Sequence, residues 1–235
     1  MAAPHRVTDG VWQIGLGAVN AFLVDAGELT LIDTGLPGSA DRVRQSVESL
    51  GRDFSDIKHI VITHCHPDHA GGAAAIRRAT GAAVHMHPID AALVREGLAK
   101  RPMTPAPGLL RHLLFKAIVS RGSGRIEPCP VDREVEDGSE LSFAGGMRVL
   151  HAPGHCAGQI VLFWPARRVL IAADTASNMP SLGLSLGYED LRRGLATLDA
   201  LASLDFDIAC FGHGRPILTA AAATFREKWR RREAA

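Results

Sequence analysis

The sequence predicts an α+β fold in which two β-sheets pack face to face, with helices along their outer sides. Two observations carry that expectation. Short apolar runs separated by turn residues fill the first third of the chain and return in the last. Each of these strand-rich halves is closed by segments of helical periodicity. At 235 residues the chain is read as a single domain, 1–235, with one helical insertion at about 101–125.

Val11 to Leu16, Ala21 to Asp25 and Leu29 to Asp33 read as successive antiparallel strands, the last ending at Thr34 and Gly35. A helix is expected from Ser39 to Leu50, where Val43, Val47 and Leu50 recur at helical spacing. Ile57 to Thr63 (IKHIVIT) is β-branched and too short for a typical helix, so it reads as a buried strand. HCHPDHAGG follows, where Pro67, Gly71 and Gly72 signal a loop running into a helix from Ala73 to Arg78. Next come a strand at Ala83 to His87 and a helix at Pro88 to Leu98. The stretch from Arg101 to Arg125 is rich in Pro and Gly at its ends but carries Leu109, Leu110, Leu113, Leu114 and Phe115 in the middle. A linker would be polar throughout, so this is expected to be a helical arm. Strands return at Met147 to Leu150, Gln159 to Trp164 and Val169 to Ala172. A helix from Tyr188 to Leu204, a strand from Ile208 to Phe211 and a terminal helix ending in Arg226 to Arg232 complete the chain.

Composition narrows the function. A hydrophobic fraction of 46% supports a sizeable core, built mostly from Ala, Val, Leu and Ile because aromatics are only 5%. A net charge of +1 argues against a surface that as a whole recruits nucleic acid or acidic membrane. No apolar segment approaches the roughly 18 residues of a membrane span, and no signal-peptide pattern opens the chain. The cysteines Cys65, Cys129, Cys156 and Cys210 show no CxxC pairing and read as reduced thiols, so a cytoplasmic location is expected. The expected partner is a small-molecule substrate, with no nucleic acid and no membrane; the arm leaves room for a homodimer contact.

His64, His66, Asp68 and His69 crowd together at the end of a predicted strand. Strand alternation is expected to bring His64, His66 and Asp68 to one side, and the Pro67 turn to let His69 approach from the other. Imidazole and carboxylate ligands suit zinc, with iron or manganese less preferred. His155 in APGHCAG, Asp174 at the end of VLIAAD and His213 in FGHG each sit where a strand gives way to a loop. One rim of a sandwich can therefore present all seven. His85, His87, His112 and His151 lack acidic or thiol companions at ligand spacing and are expected to be structural. Cys65 and Cys156 flank ligand positions, but strand parity points them away from the metals. The terminal REKWRRR run reads as a solvated helix end.

THCHPDHAGG resembles the signature of the metallo-β-lactamase superfamily, and APGH, the AAD at 172–174 and FGHG resemble its later motifs. Asp33 in LIDTG resembles that superfamily's early aspartate, although a turn-forming Asp before Thr-Gly accounts for it equally well. The resemblance implies a four-layer αββα sandwich with a binuclear site between the sheet edges. It implies two Zn2+, one bound by His64, His66 and His155 and the other by Asp68, His69 and His213. Asp174 would bridge them, and Asp33 would stand behind the ligands. Two metals roughly 3.5–4 Å apart can share a water and lower its pKa toward neutrality. The expected reaction is attack by that hydroxide on the carbonyl of a small ester, lactone or thioester. Asp68 would orient the hydroxide and pass its proton to the leaving group.

Subfamily patterns narrow the choice further. Position 174 is not the cysteine of one β-lactamase class, and about twenty residues after His213 are too few for the glutathione-binding region of the glyoxalase II type. The tyrosine that quorum-quenching lactonases carry soon after the bridging aspartate is missing, since the only tyrosine is Tyr188. The alternatives are a mononuclear iron oxidoreductase such as a persulfide dioxygenase, or a β-lactamase-like or phosphodiesterase activity. A non-catalytic binding protein is disfavoured because all seven ligand positions are filled. The apolar stretch Leu109 to Val119 is expected to form a lid, to cover core or to contact a second copy.

Overall fold

In the computed structural model, which describes residues 3–119 and 122–230, two main sheets meet face to face. The first opens with β1 (His5–Thr8), β2 (Val11–Gly15), β3 (Asn20–Asp25) and β4 (Leu29–Ile32), all antiparallel. Helix α1 (Ala40–Ser49) then crosses to β5 (Ile57–Ile62), which lies parallel to β4. A single helical turn, α2 (Pro67–Ala70), and α3 (Ala73–Thr80) lead to the parallel strand β6 (Ala83–Met86) and to α4 (Pro88–Arg95).

The arm follows. A two-residue strand, β7 (Thr104–Pro105), precedes α5 (Leu109–Leu114), which widens into a π-helical turn over Phe115–Val119. Backbone bonds pin its base: Ala99 N–H donates to Gly124 O at 2.8 Å, and Ile126 N–H to Gly97 O at 3.0 Å. β8 (Arg133–Glu134) completes the first sheet beside β6.

The second sheet contains β9 (Glu140–Leu141), β10 (Met147–His151), β11 (Ile160–Trp164) and β12 (Val169–Ile171). The short pair β13 (Ser177–Asn178) and β14 (Leu182–Gly183) precedes β15 (Gly187–Tyr188), which pairs with β7 of the arm. Helix α6 (Leu191–Ala202), β16 (Ile208–Cys210), parallel to β12, and α7 (Ala221–Trp229) close the chain.

Period-two alternation explains why the strands read as continuous apolar runs. In β5, Ile60 and Ile62 pack beneath the helices of the first half, with Val43, Val47, Ile76 and Val94, while Val61 faces the second sheet. In β12, Val169 and Ile171 face the first sheet, and Leu170 packs against the outer helices with Leu198 and Phe225. Three apolar layers thus lie between four layers of structure, which is the αββα sandwich the resemblance implied.

Several boundaries differ from the sequence reading. The helix expected from Tyr188 starts only at Leu191, because Asp190 caps it by accepting from Arg193 N–H at 3.0 Å. The helix expected to reach Leu98 ends at Arg95. Of the REKWRRR run, residues to Trp229 are helical, whereas Arg231 and Arg232 lie outside the described residues. Among the described residues, no helix is long and apolar enough to cross a membrane.

Candidate metal centre

Strand direction gathers the site. β10, β12 and β16 run the same way, because β10 and β12 are both antiparallel to β11 and β16 is parallel to β12. Their C-terminal ends therefore share an edge, and the loops leaving it carry His155, Asp174 and His213. Across the seam, β5 delivers His64, His66, Asp68 and His69. The alternation expected from His64 through Asp68 does not hold. β5 ends at Ile62, and Pro67, with its fixed φ, starts the helical turn α2, so Asp68 and His69 are placed by helical geometry.

All seven side chains come together. His66 Nδ1 and His155 Nε2 are 3.0 Å apart, and both belong with His64 to a group whose donor atoms lie within 4.8 Å of one another. Asp68, His69 and His213 form a second such group. His213 Nε2 lies 3.4 Å and His69 Nε2 3.8 Å from Asp68 Oδ2. Asp174 stands between the two groups. Its Oδ1 is 3.5 Å from His69 Nε2, and its Oδ2 is 3.1 Å from His213 Nε2 and 3.6 Å from His155 Nε2.

The ring nitrogens that face outward are tied to the protein. His69 Nδ1 donates to Asp33 Oδ2 at 2.8 Å, and His64 Nδ1 to Thr63 Oγ1 at 3.0 Å. His155 Nδ1 donates to Gly187 O at 2.8 Å, and His213 Nδ1 to Ala18 O at 2.7 Å. Such outer bonds fix the tautomer and leave the inner nitrogen with a free lone pair. Inside, His64 Nε2, His69 Nε2 and Asp174 Oδ1 are buried without a hydrogen-bond partner. Each orphaned buried acceptor costs about 1–3 kcal/mol. Three turned into one space, beside further imidazole and carboxylate donors, fit a divalent cation.

Asp33 adopts a left-handed φ of 60°. From there its Oδ1 accepts Thr63 N–H at 2.8 Å, and its Oδ2 accepts the Thr63 hydroxyl at 2.9 Å as well as His69. It touches the candidate ligand set from behind, through His69.

Cys156 departs from the sequence reading. Its Sγ lies 3.3 Å from His66 Nε2 and joins the His64, His66, His155 group. The parity argument fails because this segment is a turn in which Gly154 has φ +142°. Burial, reinforced by its contact with Cys65, pushes the Cys156 thiol well up, so it meets His66 as a neutral thiol.

Electrostatics divides the cluster. Burial, reinforced by neighbouring histidines, holds His64 well below its usual pKa and His66 at about 3. Burial also lowers His155. Burial opposes charge on His69 too, but Asp174, Asp68 and Asp33 outweigh it and lift that imidazole to about 9. Asp174 in the same way raises His213 against burial. Without a cation, one half is thus three neutral imidazoles, while in the other the carboxylates draw protons onto His69 and His213, protons that a bound cation would displace.

Several positioning groups were not read from the sequence. Asp90, fully buried, accepts from Cys65 N–H at 2.9 Å, Gly158 N–H at 3.1 Å and Arg101 Nη1 at 2.6 Å. It clips the His64–His66 loop to the turn after His155 and fastens both to the base of the arm. Glu189 strengthens the clip, accepting from Ala157 N–H at 2.9 Å and lying 3.3 Å from Arg101. A signal existed: Asp90 shares the buried face of α4 with Ala91 and Val94. Tyr188 is buried edge-on to His155 with ring centroids 5.9 Å apart, and its hydroxyl donates to Thr175 O at 2.8 Å. At Gly212, a Cβ would stand 2.0 Å from Asp174 Oδ1, so only glycine lets the loop leaving β16 pass the site.

The histidines set aside are occupied elsewhere. His85 bonds to His59 at 2.9 Å, while His87 caps α4 and stacks on His151 at 4.2 Å. His112 is exposed on the arm. Among the described residues none of these joins a cluster of metal-holding spacing.

A sequence model of the metallo-β-lactamase superfamily matches residues 14–213. The chain belongs to the metallo-β-lactamase superfamily. Among superfamily relatives, the uncharacterised protein YobT of Bacillus subtilis is 29% identical over 174 residues, 70% of this chain and 66% of that one. A hydroxyacylglutathione hydrolase of Albidiferax ferrireducens is 30% identical over 182 residues, covering 75% of this chain and 55% of the relative. The chain thus spans less than two thirds of the length of these relatives. A metallo-β-lactamase family protein from Thermus thermophilus superposes with a TM-score of 0.70 at 26% identity, over 94% of this chain and 79% of that one.

Proposed function

We propose that this protein is a binuclear metal-dependent hydrolase acting on the carbonyl of a small ester, lactone or thioester. The observation that carries the reading is the set of inward lone pairs without partners on His64, His69 and Asp174, ringed by histidines whose outer nitrogens are already held. His64, His66 and His155 would hold one divalent ion, Asp68, His69 and His213 the other, and Asp174 would serve both. Such a pair, when bound, supplies an acidified water and polarises the acyl oxygen.

The chain's own groups do the rest. Asp68 is the most exposed carboxylate of the set, at 33% of its side chain, and so stands at the mouth. It is held well below the ordinary carboxylate range by His69 and His213 in spite of burial, so it is ionised at neutral pH. An ionised carboxylate at that position orients the attacking water, takes its proton and returns it to the leaving group. Asp33 keeps the His69 ring turned inward. The likeness to the hydroxyacylglutathione hydrolase of Albidiferax ferrireducens supports placing thioesters among the substrates.

The test joins metal quantitation to a hydrolysis screen across lactones, thioesters, β-lactams and phosphodiesters. Two zinc per chain with ester, lactone or thioester turnover is expected. One iron per chain with no hydrolysis would refute the proposal. Asp68→Asn should lower kcat by about 10²–10⁴-fold while metal content falls much less. Equal loss of both would remove the proton-transfer role.

A further inference from the structure

The arm carries apolar side chains that the fold does not use. Its helical turns sort into stripes at four-residue spacing. Phe115 and Val119 face inward: the Phe115 ring packs on Gly187, and with Met103 both line a cavity of about 370 Å3. The other stripes, Leu109 with Leu113 and Leu110 with Leu114 and Ile118, are exposed, from 38% at Leu114 to 78% at Leu109. These are five of the ten large apolar side chains exposed among the described residues.

Charge singles out the same segment. From Gly97 to Ile126 the sequence holds Lys100, Arg101, Arg111, Lys116, Arg121 and Arg125 and no carboxylate, although the whole chain carries only +1. Lys116 and His112, themselves exposed, lie one helical turn apart beside the leucines. Apolar side chains flanked by cations match the boundary between anionic headgroups and acyl chains. A second copy of the chain would set one cationic arm against another, so the charge favours a different occupant.

We propose that the arm is a docking surface for an anionic lipid bilayer, with Leu109, Leu110, Leu113 and Ile118 entering the headgroup–acyl boundary and Lys116 pairing with lipid phosphate. This revises, for one local surface, the expectation that the protein has no membrane partner. It goes beyond the hydrolytic reading, because docking requires no turnover. The arm is laddered to β15, whose Gly187 carbonyl holds His155, so a protein resting on the arm keeps that rim of the site beside the bilayer.

The whole protein is sedimented with phosphatidylglycerol vesicles and, separately, with phosphatidylcholine vesicles. Binding to phosphatidylglycerol at least tenfold tighter than to phosphatidylcholine, and weakened by salt, is expected. Lys116→Glu should weaken it more than the about fivefold carried by one lost cation. Leu113→Asp with Ile118→Asp should abolish it, while melting and hydrolysis of a water-soluble ester stay at wild-type values. Leu113→Trp should show a blue-shifted emission on phosphatidylglycerol only. No binding to phosphatidylglycerol, equal binding to both lipids, or a doubly substituted protein that binds like wild type would overturn the proposal. So would a solution dimer, broken by the same pair of substitutions, in a protein that ignores vesicles. Ester hydrolysis is assayed without vesicles, so failure of docking and failure of the hydrolytic reading are told apart.

Discussion

Removing the Asp90 carboxylate should loosen at once the two loops that carry candidate metal ligands. Asp90→Ala strips the shared acceptor from Cys65 N–H, Gly158 N–H and Arg101 Nη1, at 2.9, 3.1 and 2.6 Å. Breaking a buried ion pair by deleting one partner costs about 3–5 kcal/mol. Arg101 keeps Glu189 at 3.3 Å and Ile89 O at 2.6 Å, which places the ionic part toward the lower end of that range. The two amides, left without a charged acceptor, add about 1 kcal/mol each at the least and bring the sum to about 5 kcal/mol. At this chain length, about 2–4 °C per kcal/mol converts that into a melting point about 10–20 °C lower. Zinc affinity should fall about 10–100-fold, the range seen when groups behind metal ligands are lost. Asp90→Asn keeps the shape and one acceptor oxygen and should lose about half as much stability. Thermal melting of chelated protein and competitive zinc titration read both quantities. If Asp90→Ala melted within about 2 °C of wild type and bound zinc equally well, the idea of a clip between the two loops would be wrong.

Two further outcomes follow from the cluster itself. Gly212→Ala puts a methyl group 2.0 Å from Asp174 Oδ1 and 2.6 Å from His69 Cε1, so metal content should collapse even where the variant folds; elemental analysis decides. In metal-free protein, His69 is lifted to about 9 against burial by Asp174, Asp68 and Asp33. A raised histidine stabilises the fold fully below its unfolded pKa of about 6.5 and loses that contribution as pH climbs through 9. Chelated protein should therefore melt lower as pH rises from 6.5 to 9, and Asp33→Asn should flatten the slope. Metal displaces the proton, so loaded protein should lack this trend and uptake should release protons, measurable by calorimetry in buffers of different ionisation enthalpy.

The long strands were legible because burial on both faces leaves an unbroken β-branched run, as in IKHIVIT. The candidate ligand positions were legible for a related reason: His64, His155, Asp174 and His213 all follow the end of a strand. β8 and β9 were not, since two-residue strands have no period to detect. Asp68 lay beyond the reach of strand parity because Pro67 starts a helix, and Cys156 because Gly154 starts a turn. The Asp90 clip joins residues 65, 90, 101 and 158, a partnership that only the closed sandwich creates.

The candidate ligands come from both sheets, His64 to His69 from one and His155, Asp174 and His213 from the other. Any ion held there acts as a rivet through the seam, fastening positions some 150 residues apart in sequence. Peeling away either half would then mean surrendering the ion. Hydrogen exchange should accordingly slow together in β5 and β12 on loading, although the two strands belong to different sheets, by an amount set by free metal relative to its dissociation constant.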